Sequence, residues 1–430
     1  MSIIITALSH DGRGIAHVEG KTVFVEGALP QEEVHFVYKK RHKSFDEGTV
    51  TAILNFSKDR VAPKCPHFNI CGGCNLQHLQ NNAQIKLKQQ VMLEQLLHFG
   101  GVAPLEILPP IMGPIYGYRH KARLSVKFVA KKNKVLVGFH EKTGRFIADL
   151  QSCPILHDSV GTKIKELAQL ITKLSIYPHI PQIEVAVGDD ATVLIFRHLQ
   201  SFNADDLTLL HNFAIEHKFR IYLQPKGRES IKRLTNDTEW LSYSHSPDIT
   251  LRFHPTDFTQ INKEINCKLV AKIMEFLEPQ ADDNILDLFC GLGNFTIPLA
   301  KYCHSIIGIE GDNEMVERGY ENSKLNNIKN ANFYKTDLAK NVLELEIEGW
   351  AKNKFNKVLL DPPRTGALEA IKLLGKLHPA KIVYVSCNPA TLARDTKELI
   401  AHNYTLTKAG VIDMFPNTAH VETIAVFESL

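Results

Sequence analysis

The sequence lacks any run of about 18 apolar residues, so no membrane-crossing helix is expected. Its first residues, Met-Ser-Ile-Ile-Ile-Thr-Ala-Leu-Ser-His-Asp-Gly, have no basic segment ahead of a long apolar core, and a secretory leader is not expected there. It also lacks a charge excess. Fifty Lys and Arg against 47 Asp and Glu leave a formal charge of +3, which excludes a uniformly basic chromatin-type protein but not a local basic face. Cysteine is sparse, eight in 430 residues, too few for a disulfide scaffold, which predicts a reducing, cytoplasmic setting. With 44% hydrophobic and 23% charged residues the composition is that of an ordinary globular chain, which excludes disorder and fibrous repeats.

What is present divides into three parts, as expected at roughly 100–200 residues per domain. Residues 1–58 read as short β-branched or aromatic strands (Val23-Phe24-Val25, Val34–Val37, Thr49–Ile53) separated by turn signals, which suits a small OB-like β-barrel. A basic run, Lys39-Lys40-Arg41-His42-Lys43, lies within it. Residues 59–255 form a central α/β part and residues 256–430 a Rossmann-like α/β part. A helix is expected from about Gln77 to His98, with Lys86 and Lys88 on its solvated face. Residues 116–147 hold nine Lys and Arg against the single acid Glu141, interleaved with Tyr116, Tyr118, Phe128, Phe139 and Phe146. Alternation from Ala122 to Phe128 predicts a strand with one charged face. Basic and aromatic residues on a sheet face fit phosphate neutralisation and base stacking, hence nucleic-acid binding. The C-terminal part, 281–430, has 16 basic and 19 acidic residues, so polyanion binding and chemistry separate along the chain.

Three cysteines cluster as Cys65-x5-Cys71-x2-Cys74, and Cys153 is available as a fourth ligand. Zinc sites commonly show two Cys-x2-Cys knuckles, and here there is one. Three close thiols plus one remote, with Pro66 and Pro154 adjacent and Gly72-Gly73 allowing a tight fold, look more like an iron–sulfur site. Spacing alone leaves iron–sulfur, zinc and unliganded thiols all open.

Asn284 to Thr296 reads as a buried strand, a glycine-rich turn and a helix start, with Gly291 and Gly293 permitting close ligand approach. Gly-x-Gly-Asn lacks the third glycine of the dinucleotide fingerprint. Asp287 in the strand, Glu310 at the end of the next strand and Asp337 after a third match the acids of an S-adenosylmethionine (SAM) fold, Glu310 gripping ribose hydroxyls and Asp337 near adenine.

Val358 to Arg364 then places Asp361-Pro362-Pro363-Arg364 after a strand. Arg364 stands where amino-group methylases carry an aromatic, which argues against an exocyclic amine as target. Cys387 stands at the carboxyl end of the strand read in Lys381–Pro389, and the segment Phe415–Thr423 leads into the last strand and places Glu422 at the same edge. Carbon 5 of uracil is a weak nucleophile. Thiolate addition at carbon 6 activates it, and a base must later remove the carbon-5 proton. Cys387 fits the nucleophile and Glu422 the base. No second cysteine stands near the Asp-Pro-Pro motif, which favours uracil over cytosine. The base must leave its stack to enter.

With Asp361-Pro-Pro-Arg364, Ser386-Cys-Asn-Pro389 and His420-Val-Glu422 together, the chain resembles the RNA uracil-C5 methyltransferase family over essentially its full length, closest to the type acting on 23S ribosomal RNA. The resemblance implies that the barrel is a TRAM domain and that Cys65, Cys71, Cys74 and Cys153 hold a 4Fe-4S cluster. It implies that Gln260, Phe289, Asn294, Glu310, Asp337 and Asp361 bind SAM, and that the segment 77–116 packs on the catalytic domain. The expected partner is 23S rRNA, free or partly assembled, with no membrane, no obligate protein partner and a monomeric chain. Three alternatives stay open: a related enzyme with a different rRNA or tRNA uracil, a radical methylthiotransferase, and a non-catalytic rRNA assembly factor.

Overall fold

The computed structural model describes residues 2–142, 144–234, 238 and 240–430. In the N-terminal part, strands Ser2–Ile4, Glu33–Arg41, Phe45–Asn55, Lys21–Glu26, Gly14–Val18 and Ala7–Leu8 form one sheet in that order. Its two end strands are successive pieces of one segment. Ile5 accepts from Gln31 N–H and Thr6 donates to Ile15 on the other side, so the order closes on itself as a barrel. Alternation puts Val23, Val25, Val34 and Phe36 inside, in a core of their own. The basic run lies at the exposed end of Glu33–Arg41.

The central sheet runs Lys232–Arg233, Phe219–Gln224, Thr192–Arg197, Gln182–Val187, Lys121–Val129, Lys134–Gly138. Thr192–Arg197 and Phe219–Gln224 are parallel, joined through helix Ala204–His217, which Asn203 and Asp206 open with a reciprocal capping box. Helix Ile164–Lys173 shares the core beneath this sheet with the four clustered cysteines. The basic hairpin follows the expected alternation, with Leu124 and Val126 buried and Arg123 and Lys127 exposed. Lys121 departs from it: its ammonium turns inward to the carbonyls of Pro255 (3.0 Å) and Asp257.

The C-terminal sheet has eight strands in the order Ala331–Lys335, Ser305–Glu310, Asn284–Leu288, Lys357–Leu360, Lys381–Ser386, Glu422–Ser429, Tyr404–Ile412, Glu106–Ile107. The first five are parallel, and Glu422–Ser429 runs antiparallel to Lys381–Ser386. Leu286, Leu288, Leu359, Ile382 and Val383 have no exposed surface, because helices cover both faces; this explains their unbroken apolar runs. Each such side chain contributes about 1.5–3 kcal/mol through burial. Strand order reverses at Asn284–Leu288, which makes its carboxyl end the expected ligand crevice.

Two segments from the middle of the chain belong to this body. Helix Asn81–Gln95 packs against Tyr404–Ile412 and helix Pro389–Ala401. The hairpin Leu241–Ser246/Ile249–Phe253 buries Leu241, Leu251 and Phe253 in the same core as Leu269 and Ile273. The same core also takes Ala186, Val193, Ile195 and Tyr222 of the central sheet. Lys88 is 0% exposed inside helix Asn81–Gln95, not on its solvated face; Ile85, Lys88 and Met92 share one buried stripe. No helix of the described residues is long and apolar enough to cross a membrane.

Candidate active site

The carboxyl edge of the large sheet opens into a cavity of about 640 Å³. Phe289, Asn294, Glu310, Asp361, Cys387, Glu422 and Gln260 all line it. Asp337 does not. It is exposed beyond Ala331–Lys335, and its Oδ1 accepts from Ala339 N–H at 3.0 Å, capping its own turn. Lining residues that the sequence did not single out include Arg228 and Tyr243. Arg228 comes from the central part and pairs with Asp257 (2.6 Å), Glu314 (3.1 Å) and Asp312 (3.3 Å), all distant in sequence.

The loop after Asn284–Leu288 is shaped for close approach. Phe289, Gly291 and Gly293 have φ of 65°, 55° and 91°. A Cβ on Gly291 would enter open space, whereas one on Gly293 would meet Ile297 Cγ1 at 3.1 Å. The non-glycine Phe289 in the left-handed region holds strain that the fold sustains at a site. Glu310 accepts from the N–H groups of Gly291 (3.0 Å), Gly311 (2.7 Å) and Asp312 (3.1 Å), so its carboxylate is oriented against the glycine loop. Asn294 is held by Tyr243 Oη and by reciprocal bonds with Asn266.

Strand register brings Cys387 and Glu422 together. Ser386 is paired with Thr423 in an antiparallel ladder, so Cys387, one residue after Ser386, and Glu422, one residue before Thr423, face each other across the edge. Cys387 directly precedes Asn388, the N-cap of helix Pro389–Ala401, whose positive end favours a thiolate. Asn388 Nδ2 also donates to Arg364 O at 3.0 Å, tying the Asp361–Arg364 loop to the cysteine. Glu422 Oε2 is buried with no hydrogen-bond partner. Gln260 Nε2 donates to Asp361 Oδ2 at 3.1 Å.

Burial dominates the electrostatics. It pushes the Glu422 carboxyl up to about 8, with Asp361 adding to the rise and the Lys88 ammonium opposing it. It pushes Asp361 up to about 7 against the Gln260 hydrogen bond. The Cys387 thiol is raised by burial and then by Glu422 and Asp361, while Arg364 opposes. Two buried carboxyls raised in this way favour a cationic ligand.

The segment leading to Glu422 is gripped by residues from early in the chain. Asn417 O accepts from the N–H groups of Asn75 (3.1 Å) and Leu76 (3.0 Å). Asn417 N–H donates to Gln84 Oε1 at 2.9 Å, and Ala419 N–H to Asn75 Oδ1 at 2.9 Å. Tyr118 Oη donates to Pro416 O at 3.0 Å.

Cys65, Cys71, Cys74 and Cys153 line a second, small cavity with Phe68, Phe139, Leu150 and Ile155. All four are free thiols and buried. Burial pushes the Cys74 thiol up to about 12 and Cys153 to about 11, and each of these thiols feels the others' charge. Gly73 N–H donates to Cys71 Sγ at 3.4 Å. Among the described residues, no three His, Cys, Asp or Glu side chains form a group suited to a single metal ion.

Comparison with known proteins agrees with this geometry. A family profile described as tRNA (Uracil-5-)-methyltransferase matches residues 117–429, and a TRAM domain profile matches residues 1–35. A protein of Nitrosococcus oceani, 23S rRNA (uracil(1939)-C(5))-methyltransferase RlmD, is 52% identical over 99% of this chain and 95% of its own. Its namesake in Alcanivorax borkumensis is 49% identical over 99% and 96%. The crystal structure of Pyrococcus abyssi tRNA (uracil-54, C5)-methyltransferase in complex with S-adenosyl-L-homocysteine superposes with a TM-score of 0.75 at 26% identity, covering 99% of this chain and all of that one.

Proposed function

Because the chain belongs to the RNA (uracil-5-)-methyltransferase family, we propose that it methylates carbon 5 of one uracil in 23S rRNA, the uracil-1939 position named for its relatives. The observation that carries this reading is Cys387 facing Glu422 at the edge of the sheet, above the glycine loop. SAM, when bound, supplies a methyl group activated by a sulfonium.

The residues divide the work. Gln260, Phe289, Asn294 and Glu310 form the cradle for SAM. Asp361, held by Gln260, meets the uracil edge or the cofactor amine. Cys387 adds as a thiolate to C6 of the flipped uracil, leaving C5 as an enolate carbon that takes the methyl group. Glu422 removes the C5 proton, the C5–C6 double bond re-forms, and the Cys387–C6 bond breaks. Each turnover replaces one C5 hydrogen by methyl and releases one proton. The buried carboxyls gain from a sulfonium nearby, which draws them toward their ionised forms.

The four-cysteine cavity fits a 4Fe-4S cluster held by Cys65, Cys71, Cys74 and Cys153. Its lining is apolar, its thiols are costly to ionise without a bound cation, and backbone N–H groups face the sulfurs, as cluster sites require. Such a group would be a structural brace for the central RNA-binding sheet. The exposed basic hairpin and the barrel supply phosphate contacts, and the cavity is completed within a single chain, consistent with action as a monomer.

Transfer of labelled methyl from SAM to unmodified 23S rRNA and to tRNA, with mass mapping of the products, tests the reading. It expects one 5-methyluridine in 23S rRNA, absent with Cys387→Ala. Methylation of tRNA alone, or full activity of Cys387→Ala, would contradict it.

A further inference from the structure

A buried ion pair lies behind the proposed base. Lys88 Nζ donates to Asp413 Oδ1 at 2.7 Å and to the Phe415 carbonyl at 3.0 Å. The two side chains are 1% and 0% exposed. Asp413 directly follows Ile412, which is the strand partner of Glu422. The second Asp413 oxygen, Oδ2, has no partner. The pair thus stands on the backbone beside Glu422, and the helix carrying Lys88 also contributes Gln84, which holds Asn417.

A buried pair is a poor device for stability alone, since apolar replacements of similar volume are often neutral or better. Lys88 interrupts the apolar stripe of its helix between Ile85 and Met92, where a leucine would pack without desolvation cost. Its place next to an unpartnered carboxyl gives the charge a use.

We infer that Lys88 is a positioning residue for Glu422: anchored by Asp413 and the Phe415 carbonyl, it holds the approach to Glu422 and biases that carboxyl toward the form that accepts the C5 proton. The inference rests on Glu422 being the base. Charged and titratable groups around Glu422 come from several elements: Asp361 after Lys357–Leu360, Cys387 after Lys381–Ser386, Arg364 in the following loop, His420 two residues before, and Asp413 with Lys88 behind. Lys88 is the cation that offsets the burial of Glu422, and Glu422 in turn favours the charged form of Lys88. Asp413 in turn keeps the buried Lys88 charged. Removing Lys88, or removing the Asp413 that keeps it protonated, must therefore move Glu422 in the same direction, whereas a purely structural staple would lower kcat without moving that titration.

The experiment is the pH profile of kcat with 23S rRNA for wild type, Lys88→Met and Asp413→Asn, with SAM affinity measured alongside. The midpoint of the acidic limb is expected to rise by about half a unit or more in K88M and to rise as well in D413N, where Lys88 is left buried without its counter-charge and gives up its proton, with SAM affinity within about twofold. K88M is also expected to accumulate covalent protein–RNA adduct at neutral pH and release it as pH rises, because proton removal becomes limiting. Limbs that stay fixed or fall in these variants while kcat drops overturn the inference. If K88M does not fold, D413N decides, and a fixed or lowered limb there overturns it. If neither single variant folds, the double variant K88M/D413N, which leaves no lone buried charge, must still hold adduct at neutral pH, and prompt release overturns the inference. Glu422→Gln separates the two levels. Full turnover there removes the base assignment itself, whereas a blocked E422Q with unmoved limbs in the other two variants removes only the role of Lys88.

Discussion

Glu422 enters the site with one carboxyl oxygen unpartnered and its protonated form favoured by burial up to about pH 8. That has a consequence for stability. In the unfolded chain this glutamate titrates near its ordinary 4.5, so between that pH and 8 the folded state binds more protons. Its contribution is present in full below the unfolded value and is lost as pH rises through the folded one. Asp361 and Asp287, each pushed up to about 7 by burial, act in the same direction. Thermal melts of the ligand-free protein are expected to fall in Tm from pH 5 to pH 8, and Glu422→Gln is expected to flatten that slope. An identical slope in the variant would show that the Glu422 carboxyl titrates normally. Bound SAM is expected to flatten the slope as well, through its positive charge.

At the scale of elements, the loop from Asp413 to His420 matters most, because it aims a strand start at the substrate while its supports lie far away in sequence. Asn75 holds Ala419 N–H and Asp11 O through its side chain, linking catalytic loop, cysteine segment and barrel. Asn75→Ala leaves both without that partner, at a cost of about 1–3 kcal/mol. The expected result is a fall in kcat of about tenfold with unchanged SAM affinity; loss of SAM affinity with kcat intact would contradict the coupling. The sequence made the sheet edge legible, because parallel strands covered on both faces read as apolar runs and the chemistry sits where those runs stop. That is why Asp361, Cys387 and Glu422 could be placed. Lys88 could not, because its partner Asp413 is 325 residues away, although its place between Ile85 and Met92 on one helical stripe was a signal. Lys121 was counted with the surface charge for the same reason: its carbonyl partners come from residues 255 and 257. Alternation along 241–253 does not say that this hairpin shares a core with Leu269 and Ile273. Asp337 follows its strand as expected, yet the chain turns there and the carboxylate caps the turn instead of lining the cavity.

Across the whole molecule, the central part and the large C-terminal sheet line one cavity, and the barrel is tied to the loop beside it through Asn75 and Asp11. Because Cys74 adjoins Asn75, damage at the cysteine centre should reach RNA handling and the catalytic loop before the glycine-loop cradle. Iron chelation is expected to weaken 23S rRNA binding in a filter assay while calorimetry still finds SAM binding; loss of SAM binding first would contradict this order. The central claim is the bond between Cys387 and uracil. Incubating the protein and SAM with a 23S rRNA fragment carrying 5-fluorouridine at the target blocks proton removal, so a denaturing gel should show a stable protein–RNA adduct carrying the transferred methyl group, absent with Cys387→Ala. No adduct with the wild-type protein, or the same adduct with Cys387→Ala, would contradict the account.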